Sequence, residues 1–378
     1  MAWSRSLLKR PLKYRHAARA WVEVSRLFLL ADIVLGLPGC SSFGPPSLDR
    51  DRFDYVNAIS SSWKQQTLLN IVKMRYADTP VFLDVGQIIS GYQLQGAVTV
   101  GASLNSASVV GDILNLGSAA TYTDRPTITY TPLTGAHFLQ VMITPVPPPN
   151  LLRLSQEGWP IDMLLQIGAQ SINGISNRKG GARGHAAEPD FVRLLAALQR
   201  LQGSGILGLR VEVSKESKQE GTVMVISQKE LPPEYQADRD LVRKLLGLRP
   251  DLQEFKVVSG NVSGKDDTIA IQTRSGFQIL NLLGSNVEVP PEHIAEGRTY
   301  PEIVEPAGTQ SLPPLIKIHA ETSCPADAFA TVKYRDYCYW IDDRDYRSKG
   351  VFTFLMIIMT LAETGEKAQP PVVTIQGN

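Results

Sequence analysis

The sequence predicts an α+β fold, with mainly antiparallel sheet and hairpins interleaved with short helices. Three observations carry that expectation. Apolar and polar residues alternate over most of the stretch from Gly91 to Thr123, which is the period of a half-buried strand. Elsewhere apolar residues recur at three- and four-residue steps, which is the period of a helix. The two patterns interleave irregularly, with several closely spaced strand pairs, and not in the regular alternation of a parallel α/β sheet. Hydrophobic residues make up 43% and charged residues 20% of the 378, enough apolar content for a sizeable core and too much for a disordered chain.

Residues 1–39 read as a secretory signal peptide. A long basic region ends at Arg26, and an apolar run follows from Leu27 to Leu37, interrupted by Asp32. The run is shorter than the ~20 apolar residues a spanning helix needs. Leu37-Pro38-Gly39-Cys40 then resembles the bacterial lipobox. That resemblance implies acylation of the Cys40 thiol and removal of residues 1–39. Ser41 follows, with no aspartate there, which by the sorting rule of that family implies the periplasmic face of the outer membrane. Seven basic and two acidic side chains lie in residues 1–40, so the overall net charge of +1 leaves −4 for the remainder. Such a balance gives no general pull toward nucleic acid.

Residues 40–52, rich in Ser, Pro, Gly and Asp, read as a tether. The mature α+β region would span 53–378, either undivided or as two lobes divided near 145–150 or 301–314, where prolines cluster. A helix is expected over 62–77, with Trp63, Leu69, Val72 and Tyr76 at helical spacing and Pro80 beyond its end. A strand should follow over 81–85. In the alternating stretch, Tyr92, Leu94, Val98, Val100 and Ala102 share one parity, and Leu114, Leu116, Ala120 and Tyr122 resume it after an Asn/Ser-rich turn. No charged residue occurs between Asp84 and Asp112. This reads as a hairpin with one apolar and one polar face.

Further along, a strand is expected over 127–131, a short helix over 137–143 and a stiff proline loop over 145–149. Helices should cover 151–156, 160–172 and 189–202, with a basic glycine loop at 178–184. A hairpin is expected at 208–213 and 222–227. Helices are expected at 237–246 and 276–283, with a strand over 268–273 between them. After the Pro-rich 301–314 come a strand at 315–319, a hairpin at 329–333 and 337–341, a helix at 346–361 and a last strand at 372–375.

Little in the sequence announces chemistry. It holds no Gly-x-Ser-x-Gly motif, and His137, His185, His293 and His319 lack metal-ligand spacing. No metal or cofactor is therefore expected, and the histidines read as satisfied core or surface residues. Asp342-Asp343-Arg344-Asp345 lacks the glycine and distal glutamate of a calcium loop and reads as a helix cap. The loop from Arg178 to Gly184 has the glycines and cations that suit an anion but no Lys-Ser/Thr after them, so a solvated mobile loop is expected. Cys324 and Cys338 either pair, as thiols do in an oxidising periplasm, or stay reduced as small buried hydrophobes. The apolar run from Gly350 to Leu361 is too short to span a bilayer and reads as a core helix.

The element order, with the phrases Asp124-Arg125-Pro126-Thr127-Ile128-Thr129-Tyr130 and Gly158-Trp159-Pro160-Ile161-Asp162, resembles uncharacterised proteobacterial envelope lipoproteins over most of the mature chain. That resemblance implies an address and no activity. The leading expectation is a non-enzymatic structural or interaction lipoprotein, with the membrane reached through its lipid and an envelope protein or a second copy as partner. The alternative is an oligomeric pore or secretion component that uses Tyr92, Leu94, Val98, Val100, Leu114 and Leu116 as the lipid-facing row of a membrane hairpin. A third is an envelope hydrolase, which would have to bring together residues such as His137, Asp162 and His319.

Overall fold

The computed structural model describes residues 47–89, 92–103, 113–124, 127–213, 220–227, 231–302 and 312–362. Cys40 and the strand expected at 372–375 lie outside them. The chain divides into two units after Ser60. Of the first unit, the described part is residues 47–60, which belong to helix α1, Ser47–Arg75.

Helix α1 takes in the last six residues expected to be tether. Asp49 and Asp51 stand near its positive end, and neither Gly nor Pro interrupts the sequence before Arg75. It ends in a left-handed turn: Ala77 has φ 55°, and the Asp78 amide returns to the Lys73 carbonyl at 2.9 Å. Leu68, Ile71 and Val72 near this end are fully buried. Strands β1 (Leu83–Ile89), β2 (Tyr92–Ser103), β3 (Ile113–Asp124) and β4 (Thr127–Pro132) come next.

Helix α2 (Gly135–Phe138) runs into one π-helical turn, Leu139–Ile143. Helices α3 (Pro148–Gln156) and α4 (Ile161–Gly168) lead into β5 (Ala169–Ile172) and β6 (Ile175–Ser176). The single helix expected over 160–172 therefore stops at Gly168. Two contacts far away in sequence stop it. A Cβ on Gly168 would lie 2.6 Å from Leu151 Cδ1, so the chain is pressed against α3 there. Arg274, 3% exposed, donates through Nη1 to the Gln166 and Ile167 carbonyls, each at 2.9 Å, and its amide reaches the Gly168 carbonyl at 2.7 Å. A guanidinium on the last carbonyls of a helix satisfies them and suits the negative end of its dipole.

The remaining elements are α5 (Pro189–Gly203), β7 (Leu207–Val213), β8 (Glu220–Ile226), α6 (Pro233–Leu246), β9 (Glu254–Ser259), β10 (Thr268–Thr273), α7 (Gly276–Gly284) and α8 (Pro291–Ala295). Six strands form one sheet in the order β6-β5-β10-β9-β8-β7. The β9–β10 pair is parallel and the other pairs are antiparallel. No strand was expected at β9, whose alternation of exposed Glu254 and Lys256 with buried Phe255 and Val257 is only four residues long. Helix α5 buries Phe191, Leu194, Leu195, Leu198 and Leu201, at the spacing of one helix face. It is tied to α6 by an Arg200–Asp238 fork with bonds of 2.6 and 2.7 Å.

A second sheet holds β11 (His319–Glu321), β13 (Tyr337–Asp342) and β12 (Ala328–Tyr334) in that order, all antiparallel. Arg335 and Asp336 make a two-residue turn with φ of 48° and 69°, as a right-twisted hairpin requires. A disulfide joins Cys324 to Cys338, with Cα atoms 5.3 Å apart. Helix α9 (Tyr346–Ala362) closes the described chain, with Val351, Phe352, Phe354 and Leu355 fully buried. The fold is α+β. One core runs from Leu68 to Ile358 and has members on both sides of 145–150 and of 301–314. Its polar centre is a chain of hydrogen bonds in which the Tyr76 hydroxyl lies 2.7 Å from His293 Nδ1 and 2.6 Å from the Tyr339 hydroxyl. Burial raises the pKa of both tyrosines.

Candidate functional site: an amphipathic ribbon

Strands β1–β4 are set apart by how they pair. β2 pairs with β3 along twelve positions, from Tyr92 opposite Asp124 to Ser103 opposite Ile113. β1 pairs with β4, from Leu83 opposite Pro132 to Ile89 opposite Thr127. From Ile89 to Tyr92 and from Thr127 to Asp124 the sequence advances by the same number of residues, and the two pairs form separate two-stranded sheets. Among the described residues, β2 and β3 pair with no other strand.

That register sorts the sequence into two faces. In β2 the even positions Tyr92, Leu94, Val98, Val100 and Ala102 stand opposite Asp124, Tyr122, Ser118, Leu116 and Leu114. The odd positions Gln93, Gln95, Thr99 and Ser103 stand opposite Thr123, Thr121, Gly117 and Ile113. Gln95, Thr99, Gly117 and Thr121 are exposed, and the Thr99 hydroxyl donates to the Gly117 carbonyl at 3.3 Å.

The same division continues into β1 and β4 by way of a bulge. The register shifts by one between Val85 and Gln87. Gly86 is the extra residue, and a Cβ there would meet Thr131 Oγ1 at 3.2 Å. The shift lets Leu83, Val85 and Ile88 stand opposite Pro132, Tyr130 and Ile128 despite their unequal spacing. This apolar row is uncovered at its base: Leu83 is 42%, Tyr130 56% and Ile128 39% exposed. Sequence periodicity disclosed the hairpin. It did not disclose that β1 pairs with β4, because the bulge breaks the period at Gly86.

The other residues of interest are dispersed. Asp345 accepts from the Ser348 amide at 3.1 Å and from its hydroxyl at 2.7 Å, as a cap of α9. Asp342 and Asp343 pair with Arg344 and Lys349 at 3.0 and 2.8 Å. His319 lies 3.1 Å from Glu288 and stacks on Trp340. Asp162 Oδ1 is buried with no hydrogen-bond partner, so no hydrogen bond through that atom joins Asp162 to His319. The side chain of His137 lies outside what is described. Among the described residues, no three metal-binding side chains gather and no helix is long and apolar enough to cross a membrane. No protein-family model, curated protein or solved structure matches the chain.

Proposed function

We propose that this chain is a lipid-anchored outer-membrane protein whose ribbon assembles with the ribbons of further copies into a membrane-spanning barrel, as a pore or secretion component. The observation that carries this reading is the register of β2 and β3, which gathers mostly apolar residues at the even positions and Gln93, Gln95, Thr99 and Ser103 at the odd ones, together with the exposed Leu83, Ile128 and Tyr130 of β1 and β4. A barrel strand needs lipid-facing and water-facing rows of that kind. Twelve residues at about 3.4 Å each extend about 40 Å, and a tilt of about 45° brings that near the ~30 Å hydrocarbon thickness. Among the described residues each ribbon also has two unpaired edges. In lipid every unpaired backbone group costs several kcal/mol, so a lone ribbon cannot cross, whereas copies side by side satisfy both edges. A lipid on Cys40 would gather the copies at one surface.

A second reading keeps the ribbon out of the membrane and lays its apolar face on an envelope protein partner. The exposure of Ile128 and Tyr130 favours it, since such a row also suits a partner protein. The two readings separate on extraction. Labelled fatty acid should enter the wild type and not Cys40→Ser, and the wild type in mild detergent should run as a ring-sized homo-oligomer. A monomer bound to a different protein would favour the second reading, and an unlipidated chain that keeps residues 1–39 would remove the anchor from both.

A further inference from the structure

A cleft of about 700 Å³ opens between the turn that joins α3 to α4 and the start of α9, a size that suits an organic ligand. The turn and the beginning of α4 supply Glu157, Trp159 and Asp162, while β12 and α9 supply Phe329, Tyr346, Arg347 and Lys349. The aromatic walls are fixed from behind. The Trp159 ring packs on Phe354 with centroids 5.7 Å apart, and the Phe329 ring stands edge-on to Phe352 at 5.7 Å. Gln202 pins the turn: its Nε2 donates to the Trp159 carbonyl at 3.1 Å, and its Oε1 accepts from the Ile161 amide at 2.9 Å. Tyr346 at the mouth is 87% exposed. Rigid rings with open area are surface that a ligand can cover at little entropic cost.

The charges of the lining are not all spent. Lys349 is engaged, with Nζ 2.9 Å from the Asp343 carbonyl and 2.8 Å from its carboxylate. Lys64 and Lys349 also lie 4.6 and 5.5 Å from the Phe329 ring centroid. That ring has its cations already, so the cleft is not a cage for a quaternary ammonium ion. Glu157 and Arg347 are exposed. Among the described residues Arg347 makes one hydrogen bond, from Nη2 to Gln166 Oε1 at 3.3 Å, which leaves Nε and Nη1 for an anion. Asp162 makes no ion pair among the described residues, and its Oδ1 is buried with no hydrogen-bond partner. Its place in the first turn of α4 suits its charge but gives that oxygen no donor, and a buried carboxylate oxygen without one is costly. Gln166, which holds Arg347, lies one helical turn beyond Asp162, about 5.4 Å along the axis. The acid and the base therefore stand near each other without pairing, at a spacing that the two ends of one small molecule can bridge.

We infer that this cleft binds a short peptide with apolar side chains, its amino terminus on Asp162, its carboxyl terminus on Arg347 and its side chains against Trp159, Phe329 and Tyr346. The unpaired acid and base account for the two charged ends, and the rings account for the apolar body. One guanidinium matches the two oxygens of a carboxylate. The test is calorimetric titration of the full chain in lipid nanodiscs with phenylalanyl-leucine and phenylalanyl-alanyl-leucine, each free, N-acetylated or C-amidated. At least one free peptide should bind saturably, and blocking either end should weaken it about tenfold, the effect of losing one charged hydrogen bond. Glycyl-glycine should bind at least about tenfold more weakly, having no side chains to bury. Asp162→Asn, with melting unchanged, should bring the free peptide down to the affinity of its N-acetyl form and leave that form unaffected. Arg347→Gln should do the same with the amide. Glycerophosphoethanolamine, which carries the charges of a lipid headgroup, should not displace the peptide. No binding by either free peptide, equal binding of free and blocked forms, displacement by the headgroup, or variants that weaken every form alike would each overturn the assignment.

Discussion

Asp345 shows how one side chain can fix an element boundary and make it depend on pH. Burial alone would raise its pKa, yet the hydroxyl and amide of Ser348 hold the carboxyl below its ordinary range. A carboxylate whose folded pKa is depressed adds stability above its unfolded pKa and loses it as pH falls through the folded value. Asp345→Ala should therefore cost about 1 kcal/mol near neutrality, read from denaturant midpoints, with the difference shrinking below about pH 4. An equal loss at both ends of that range would mean that the carboxylate charge does not matter there. This cap was legible in the sequence because its partner lies three residues away. Arg274 was not, because the carbonyls it satisfies are 107 and 108 residues distant, and a lone arginine before a helix gives no sign of such a partner. The glycines at 180 and 181 were visible as residues, but not the close approach that needs one of them: a Cβ on Gly180 would lie 2.5 Å from the Asn281 carbonyl oxygen.

At the scale of elements, periodicity carried far where one face of an element is buried and the other is open. The hairpin of β2 and β3, the helix α5 and the strand β10 all lie close to where their patterns place them. Patterns failed at junctions. The α4 helix stops at Gly168 because a distant leucine and a distant arginine meet it there. Strand β9 is hard to see because its alternation, Glu254 and Lys256 exposed and Phe255 and Val257 buried, lasts only four residues before the exposed Val258 breaks it. The sheet β11-β13-β12 adds a covalent element, since the Cys324–Cys338 disulfide fastens the chain before β12 to the middle strand. Closing a loop of this size lowers the entropy of the unfolded chain by the equivalent of about 3 kcal/mol in the chain-entropy account. Reductant should lower the urea midpoint of the wild type by a matching amount. The double variant Cys324→Ser/Cys338→Ser should begin at the lowered midpoint and not respond to reductant. A wild type insensitive to reductant after full thiol exposure would show that the bridge adds nothing to stability.

For the molecule as a whole, a single buried core gives the chain its fold, and the ribbon contributes an amphipathic surface apart from the strands of that core. A bulge at Gly86 keeps Leu83, Val85 and Ile88 opposite Pro132, Tyr130 and Ile128. Apolar side chains exposed as Leu83, Ile128 and Tyr130 are carry an aggregation risk for a chain that never meets lipid or a partner, and assembly in a membrane would remove it. The most direct measurement is ion current through planar bilayers with cysteines introduced one at a time along β2 and β3. Cys324 and Cys338 are joined and Cys40 is the proposed anchor, so each introduced thiol is the one available to a water-soluble charged reagent. The account predicts conductance from the oligomer, with block by the reagent at Gln95, Thr99 and Thr121 and none at Leu94, Val98 and Leu116, a period of two along each strand. Absence of conductance together with equal labelling of both sets of positions would contradict it.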